Sequence, residues 1–201
     1  CRSMSSSGTD TYSAIAGAVG SLKGPLHGGA NAKVVEMFRE LDAAVPDKTD
    51  EDTIRAYLQK ILNKEAGDGS GKIFGLGHAV YTLSDPRALL IKKYAGGMAA
   101  ATGRMEEFEF MERVERIGLE LLAPKRRDGL PICANVDFYS GFVYDLIGIP
   151  REIYTPLFAM ARIVGWCAHR NEELNFEGRR IIRPAYRCVT DEKPYVAMSG
   201  R

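Results

Sequence analysis

Three histidines and one aspartate carry most of the chemistry this sequence can offer. His27 stands in Gly24-Pro25-Leu26-His27-Gly28-Gly29-Ala30-Asn31, His78 in Gly75-Leu76-Gly77-His78-Ala79-Val80, and His169 in Trp166-Cys167-Ala168-His169-Arg170. Glycines beside His27 and His78 let the backbone approach a ligand closely. A helix start disfavours imidazolium, so a neutral His27 ring there would donate a hydrogen bond without carrying charge. His169 has no such setting and reads as structural. Asp137, in Ala134-Asn135-Val136-Asp137-Phe138-Tyr139-Ser140, is a carboxylate among apolar and aromatic residues. It is either the N-cap of the helix that follows or a partly desolvated general base. Arg87, Arg162 and Arg183 lie beside prolines or inside an apolar helix. Each is either half of an internal ion pair or a fork for a carboxylate ligand.

Weaker constellations point elsewhere. Gly75-x-Gly77 has Val80 where a dinucleotide fingerprint needs its third glycine. The histidines show no metal spacing. Cys133 near Asp137 has no local histidine and reads as a buried thiol. Lys125-Arg126-Arg127-Asp128-Gly129 reads as a solvated polar loop, and the arginines at 179, 180, 183 and 187 form too short a tail to indicate nucleic acid.

The elements that must position these groups are mostly helical. Asp10 and Thr9 start a helix marked by Tyr12, Ile15, Val19 and Leu22, which Gly24-Pro25 stops. Val34, Val35, Met37, Phe38 and Leu41 mark a second. Thr49 with Asp52 resembles a capping box before Ile54, Tyr57, Leu58, Ile61 and Leu62. Residues 67–71 must be a loop, and 72–81 reads as a strand or an extended binding loop. Ser84-Asp85-Pro86 reads as a cap with proline at the first helical position. Helices are expected over about 86–101, 105–123, 136–147 and 155–174, and an extended tail from Arg179. The fold class is mostly α, without internal repeats.

Composition bounds the function. The chain has 201 residues, 45% apolar and 26% charged, and 27 basic against 26 acidic residues leave +1. That excludes a disordered chain and binding to nucleic acid by bulk charge. No apolar run approaches a membrane span, and no secretory leader is expected. Cys1, Cys133, Cys167 and Cys188 form no CxxC pair, which fits a reducing, cytoplasmic setting. The chain begins at Cys1 and reads as a piece of something longer.

The motifs at 24–31, 75–81 with Asp85-Pro86-Arg87, 135–141, 154–166 and Arg183-Pro184 together resemble the citrate synthase family, in order and in approximate separation. The resemblance runs from about residue 9 to the end. It implies a citrate synthase-like multi-helical fold, with 26–140 as a small domain and 1–25 and 141–201 as parts of a large domain. It implies condensation of acetyl-CoA with oxaloacetate, then hydrolysis to citrate and CoA, as in the tricarboxylic acid cycle. By resemblance Asp137 removes a methyl proton, His27 hydrogen-bonds the thioester carbonyl, and His78 polarises the ketone. Arg87 and Arg162 hold oxaloacetate carboxylates, and Arg183 does so across a homodimer. Ile73, Gly75, Leu76, Gly77, Ala79 and Asn135 would contact CoA. The first helix would lie at the dimer interface, and it and the 156–174 helix would expose apolar faces. No metal and no cofactor beyond the acyl-CoA substrate is implied, and no nucleic-acid or membrane partner. A further oxaloacetate-binding histidine of the family has no counterpart here. Two alternatives remain: a 2-methylcitrate synthase using propionyl-CoA, and a noncatalytic CoA-binding remnant or partner subunit.

Overall fold

The computed structural model describes residues 1–24, 27–125, 129–185, 187 and 189–200. Most of the expected 125–129 loop, part of the motif around His27, and Cys188 therefore lie outside the described residues. Eight α-helices are present among the described residues: α1 (Arg2–Ser6), α2 (Thr11–Leu22), α3 (Ala30–Ala44), α4 (Glu51–Leu62), α5 (Pro86–Thr102), α6 (Met105–Leu122), α7 (Asp137–Leu146) and α8 (Tyr154–Asn175). There is no strand among them, only an isolated antiparallel bridge between Leu76 and Ala134.

Local chemistry sets the helix ends. Asp10 starts α2, its carboxylate accepting from the Ser13 N–H and hydroxyl. At α4 the expected Thr49–Asp52 box is not formed. Asp50 is the cap, accepting from the Asp52 and Thr53 N–H groups, while Thr49 donates to Asp47. The carboxylate one residue nearer the helix reaches two orphan amides. Asp85 caps α5, with Pro86 at the first helical position. Gly103 ends α5 in the left-handed conformation at φ +72°.

The chain forms two compact units, Val19–Val164 and Cys1–Ala18 with Gly165–Arg201. In the first, α7 packs on α3 and α5, and α6 packs on α4 and α5. Phe138 and Tyr139 of α7 are fully buried. Phe138 meets Phe38 of α3 edge-to-face at 5.4 Å, and Tyr139 meets Phe108 of α6 at 6.0 Å. Each such buried ring contributes roughly 1.5–3 kcal/mol. The Tyr139 hydroxyl donates to Glu115 at 2.5 Å, and Lys92 bonds the same carboxylate at 2.7 Å. Burial, then the Glu115 charge, pushes the phenol upward, so it remains a donor. The core thus fixes the first turn of α7, where Asp137 sits.

The second unit is held by polar bonds. Arg2 of α1 reaches His169 Nδ1 at 3.2 Å, Glu173 at 3.3 Å and Glu172. Arg170 bonds the Thr9 carbonyl at 2.8 Å and the hydroxyls of Ser5 and Thr11. His169 is thereby held by α1, in line with its structural reading. Tyr12 of α2 stands in solvent here, 88% exposed, as do Val164 (75%) and Met160 (65%) in the part of α8 that belongs to the first unit.

Candidate active site

His27 sits on a tight turn between α2 and α3. The amides of His27 and Gly28 both donate to the Gly24 carbonyl, at 3.0 and 3.1 Å. Thr155 of α8 donates to the Gly28 carbonyl at 2.8 Å. A Cβ added at Gly28 would land on the Leu22 carbonyl oxygen and 3.1 Å from Thr155 Cγ2. Only glycine lets the turn close this tightly. The His27 ring is exposed and lies edge-on to Phe158 at 6.5 Å.

Asp137 is the first residue of α7 and not its cap; the capping position belongs to Val136. Asn135 satisfies the Asp137 amide instead, through Oδ1 at 3.0 Å. Asp137 and His27 line one cavity of about 240 Å³, together with Leu22, Asn31, Ser140 and Tyr144. Burial raises the Asp137 carboxyl above its usual range; the neighbouring Arg87, His27 and Asn31 side chains oppose the shift without cancelling it. A desolvated carboxylate beside an imidazole is a suitable proton acceptor.

His78 is tied to its own loop. Its Nδ1 accepts the amides of Val80 and Tyr81, at 2.9 and 3.0 Å. A nitrogen that accepts two N–H groups carries no proton, so the ring proton is on Nε2. Nη2 of Arg87 lies 3.3 Å from Nε2. Two donors face each other there, and an oxygen acceptor between them would satisfy both. His78 is not among the residues lining the His27–Asp137 cavity. It is linked to that site through Arg87, whose charge acts on Asp137.

Arg87 forms an internal ion pair and keeps an exposed face. Its Nε and Nη2 grip the Asp85 carboxylate at 3.0 and 2.8 Å. Asp85 is 1% exposed, while the Arg87 side chain keeps 43% of its surface in solvent. Burial alone would raise the Asp85 carboxyl, but the Arg87 hydrogen bonds and charge together hold it below its ordinary value. A lowered native value stabilises the fold above the unfolded-state value of about 3.9, and the gain is lost as pH falls through the lowered native value. Asp85→Ala should therefore lose about 1–3 kcal/mol at pH 7, from the pair and the cap together. Urea unfolding at pH 7 and pH 3 checks this; the gap between variant and parent should narrow at the lower pH.

The residues expected to contact CoA divide. Gly75 and Gly77 have φ of +83° and +91°. The Gly75 carbonyl accepts from the Asn135 amide, and the Gly77 amide donates to the Cys133 carbonyl, both at 2.8 Å. These bonds hold 75–77 as an extended loop against 133–135, with Ala79 exposed beyond it. Two of these side chains face inward. Ile73 is 3% exposed and belongs to the core, because its loop enters from the hydrophobic centre. The Asn135 amide is engaged internally, donating to the Gly77 carbonyl at 2.9 Å while its oxygen caps Asp137. Leu76 is half-buried, near Gly118. Arg162 is exposed on α8 and pairs with no carboxylate among the described residues. Arg183 is exposed in the extended segment of the other unit.

Among the described residues no His, Cys, Asp or Glu cluster is arranged to hold a metal ion, and no helix is long and apolar enough to cross a membrane. A larger groove of about 620 Å³ runs along α3, α6 and α7. It contains no histidine, and its Lys48 and Arg104 already pair with Asp42 and with Glu107 and Asp145. Sequence reasoning missed Asn31, which was visible only as the last letter of the His27 motif, and the pairing role of Asp85, which was legible only as a cap.

Fold and site together define an all-α protein that presents a desolvated carboxylate and an imidazole to one cavity. The family model for the C-terminal domain of citrate synthase matches residues 1–185, and the chain belongs to the citrate synthase family. It is 39% identical over 195 residues to citrate synthase of Synechocystis sp., covering 96% of this chain and 44% of that protein. To citrate synthase of Acidithiobacillus ferridurans it is 43% identical over 195 residues, covering 96% and 46%. Among solved structures it matches the ternary complex of Thermoplasma acidophilum citrate synthase with carboxymethyl coenzyme A and oxaloacetate. That match has a TM-score of 0.76 and 32% identity, over 100% of this chain and 49% of that one. Citrate synthase from Thermotoga maritima follows at TM-score 0.73 and 34%, over 99% and 49%. The chain spans about half the length of these relatives.

Proposed function

We propose that these residues carry the catalytic portion of a citrate synthase, which condenses acetyl-CoA with oxaloacetate and hydrolyses the product to citrate and CoA. The observation that carries this reading is the cavity shared by His27 and a desolvated Asp137. A thioester methyl is a very weak acid. Its deprotonation needs a base and a donor for the charge that develops on the carbonyl oxygen. Asp137 takes the methyl proton, and His27 hydrogen-bonds the thioester oxygen as the enol forms. The enol carbon then attacks the ketone carbon of oxaloacetate. The new C–C bond forms as the ketone π bond breaks, and His78 Nε2–H meets the oxygen that gains the electron pair. That oxygen takes the His78 proton, which the one removed by Asp137 replaces; water then attacks the thioester carbon of the bound citryl-CoA, the C–S bond breaks, one water proton passes to the departing thiolate and the other to solvent, and citrate and CoA leave.

The paired donors of His78 and Arg87 suit a 2-oxo acid, whose ketone and carboxylate oxygens are adjacent acceptors. Arg162 supplies a second cationic contact. Arg183 acts across a homodimer, to which the exposed apolar side chains of α2 and α8 contribute. In this reading residues 26–140 are the small domain, 1–25 and 141–201 belong to the large one, the acyl-CoA is a substrate with no further cofactor, and the protein works in the cytoplasm. The loop at 75–79 receives CoA through its backbone. Calorimetric titration of this chain with CoA should give saturable binding, which Gly77→Val, strained at φ +91°, abolishes. A flat titration of the folded parent chain contradicts the reading.

A further inference from the structure

Asn31 has no part in the chemistry just described, yet it is buried in the wall of the same cavity. It occupies the first turn of α3, four residues after His27. Its Nδ2 donates to Ser140 Oγ at 2.6 Å, and its side chain shares the cavity wall with the Asp137 carboxylate, whose ionised form it favours. Asp137 and Ser140 are three residues apart on one face of α7, so an amide held on Ser140 from the facing helix stands beside the carboxylate. The bond to Ser140 turns the amide nitrogen toward α7, the side on which an acceptor-only carboxylate is favoured. The Asn31 oxygen then points away; it is buried and has no hydrogen-bond partner among the described residues. A Cβ added at Gly141 would lie 2.9 Å from it.

An unpaired buried amide oxygen costs about 1–3 kcal/mol. An apolar residue of similar size would avoid that cost, so the side chain is explained by its donor and not by packing. We propose that Asn31, anchored on Ser140, is the positioning residue for the Asp137 carboxylate, tying the turn that presents His27 to the helix that presents the base. The inference rests on Asp137 being that base. The other groups facing the carboxylate are His27 before α3, Arg87 on α5, Asp85 at its cap and Tyr144 on α7. Asn31 carries no charge, and it opposes the effect of burial.

The test is a pH titration of the Asp137 side-chain carbon, read by ¹³C NMR in this chain, in Asn31→Leu and in Ser140→Ala. Asn31→Leu should raise the midpoint by about 0.5–1 pH unit, because a donor to the ionised form is gone. Ser140→Ala should raise it by less, because the amide remains without its anchor. An unchanged or lowered midpoint in folded Asn31→Leu overturns the proposal. If that variant does not fold, Ser140→Ala decides, and an unmoved midpoint there overturns the anchoring. The readout needs no turnover, so failure of condensation with these shifts intact would count against the proposed reaction alone.

Discussion

Asp137→Asn, in the enzyme that carries these residues, lowers kcat for citrate formation by about 10²–10⁴-fold, the usual contribution of a positioned general base. The same change leaves the fold equally or more stable at pH 7. The two effects have one cause. Burial raises the Asp137 carboxyl above its ordinary value, so the native protein binds this proton more tightly than the unfolded chain does. Between the unfolded value of about 3.9 and the raised native value, stability falls as pH rises, and above both the ionised group is a standing cost. The amide of Asn keeps the shape and removes the charge. A purely structural carboxylate would behave in the opposite way. A helix cap costs about 0.5–2 kcal/mol when lost, but Asn135, not Asp137, satisfies the local amide. Steady-state kinetics with urea unfolding at pH 7 separates the cases: lost turnover with undiminished stability is expected, and a clear loss of stability would point to a structural role.

Phe138→Ala costs about 3–5 kcal/mol of stability, the range for deleting a fully buried aromatic ring. Phe138 is 0% exposed and stacks edge-on with Phe38 and Tyr139. It also supports the loop expected to receive CoA. A Cβ at Gly75 would come within 2.7–2.9 Å of Phe138 atoms, so the loop backbone lies directly on this residue. Removing the ring leaves a cavity under Gly75 and frees the first turn of α7. Urea unfolding should show the loss, and the variant at temperatures where it remains folded should bind CoA more weakly. A loss below about 1 kcal/mol would mean that the centre of the core lies elsewhere.

Much of the helical framework was legible in the sequence: at α4 the apolar spacing registers a buried face directly, whereas at α2 Tyr12 and Val19 of the spacing stand in solvent and Leu22 alone is buried. Ser84-Asp85-Pro86 marked the start of α5 because proline and an N-cap carboxylate are tolerated together in few other places. The short α1 was not legible, since five residues do not complete a pattern. Thr49 and Asp50 are both good caps in composition, and only the backbone angle decides between them. Periodicity alone left the arrangement of the helices open; the five ordered motifs identified it. At the site, residue type revealed His27, His78 and Asp137 as candidates but not what holds them. Ile73 was a candidate CoA contact through the resemblance alone, and its side chain lies in the core. The Arg87–Asp85 pair was two residues apart in plain view, but a cap and an ion pair look alike until side chains have directions. Asn31 and Ser140 are 109 residues apart, and no local pattern connects them.

The most direct measurement is a crystal structure of the protein that carries these residues, with oxaloacetate and a nonhydrolysable acetyl-CoA analogue bound. The Asp137 carboxylate should lie against the carbon that corresponds to the reacting methyl. A His27 ring nitrogen should be within about 3.2 Å of the thioester oxygen, and His78 Nε2 within the same distance of the ketone oxygen. An acyl group seated away from the His27–Asp137 cavity, or a ketone oxygen that meets neither His78 nor Arg87, would contradict the account.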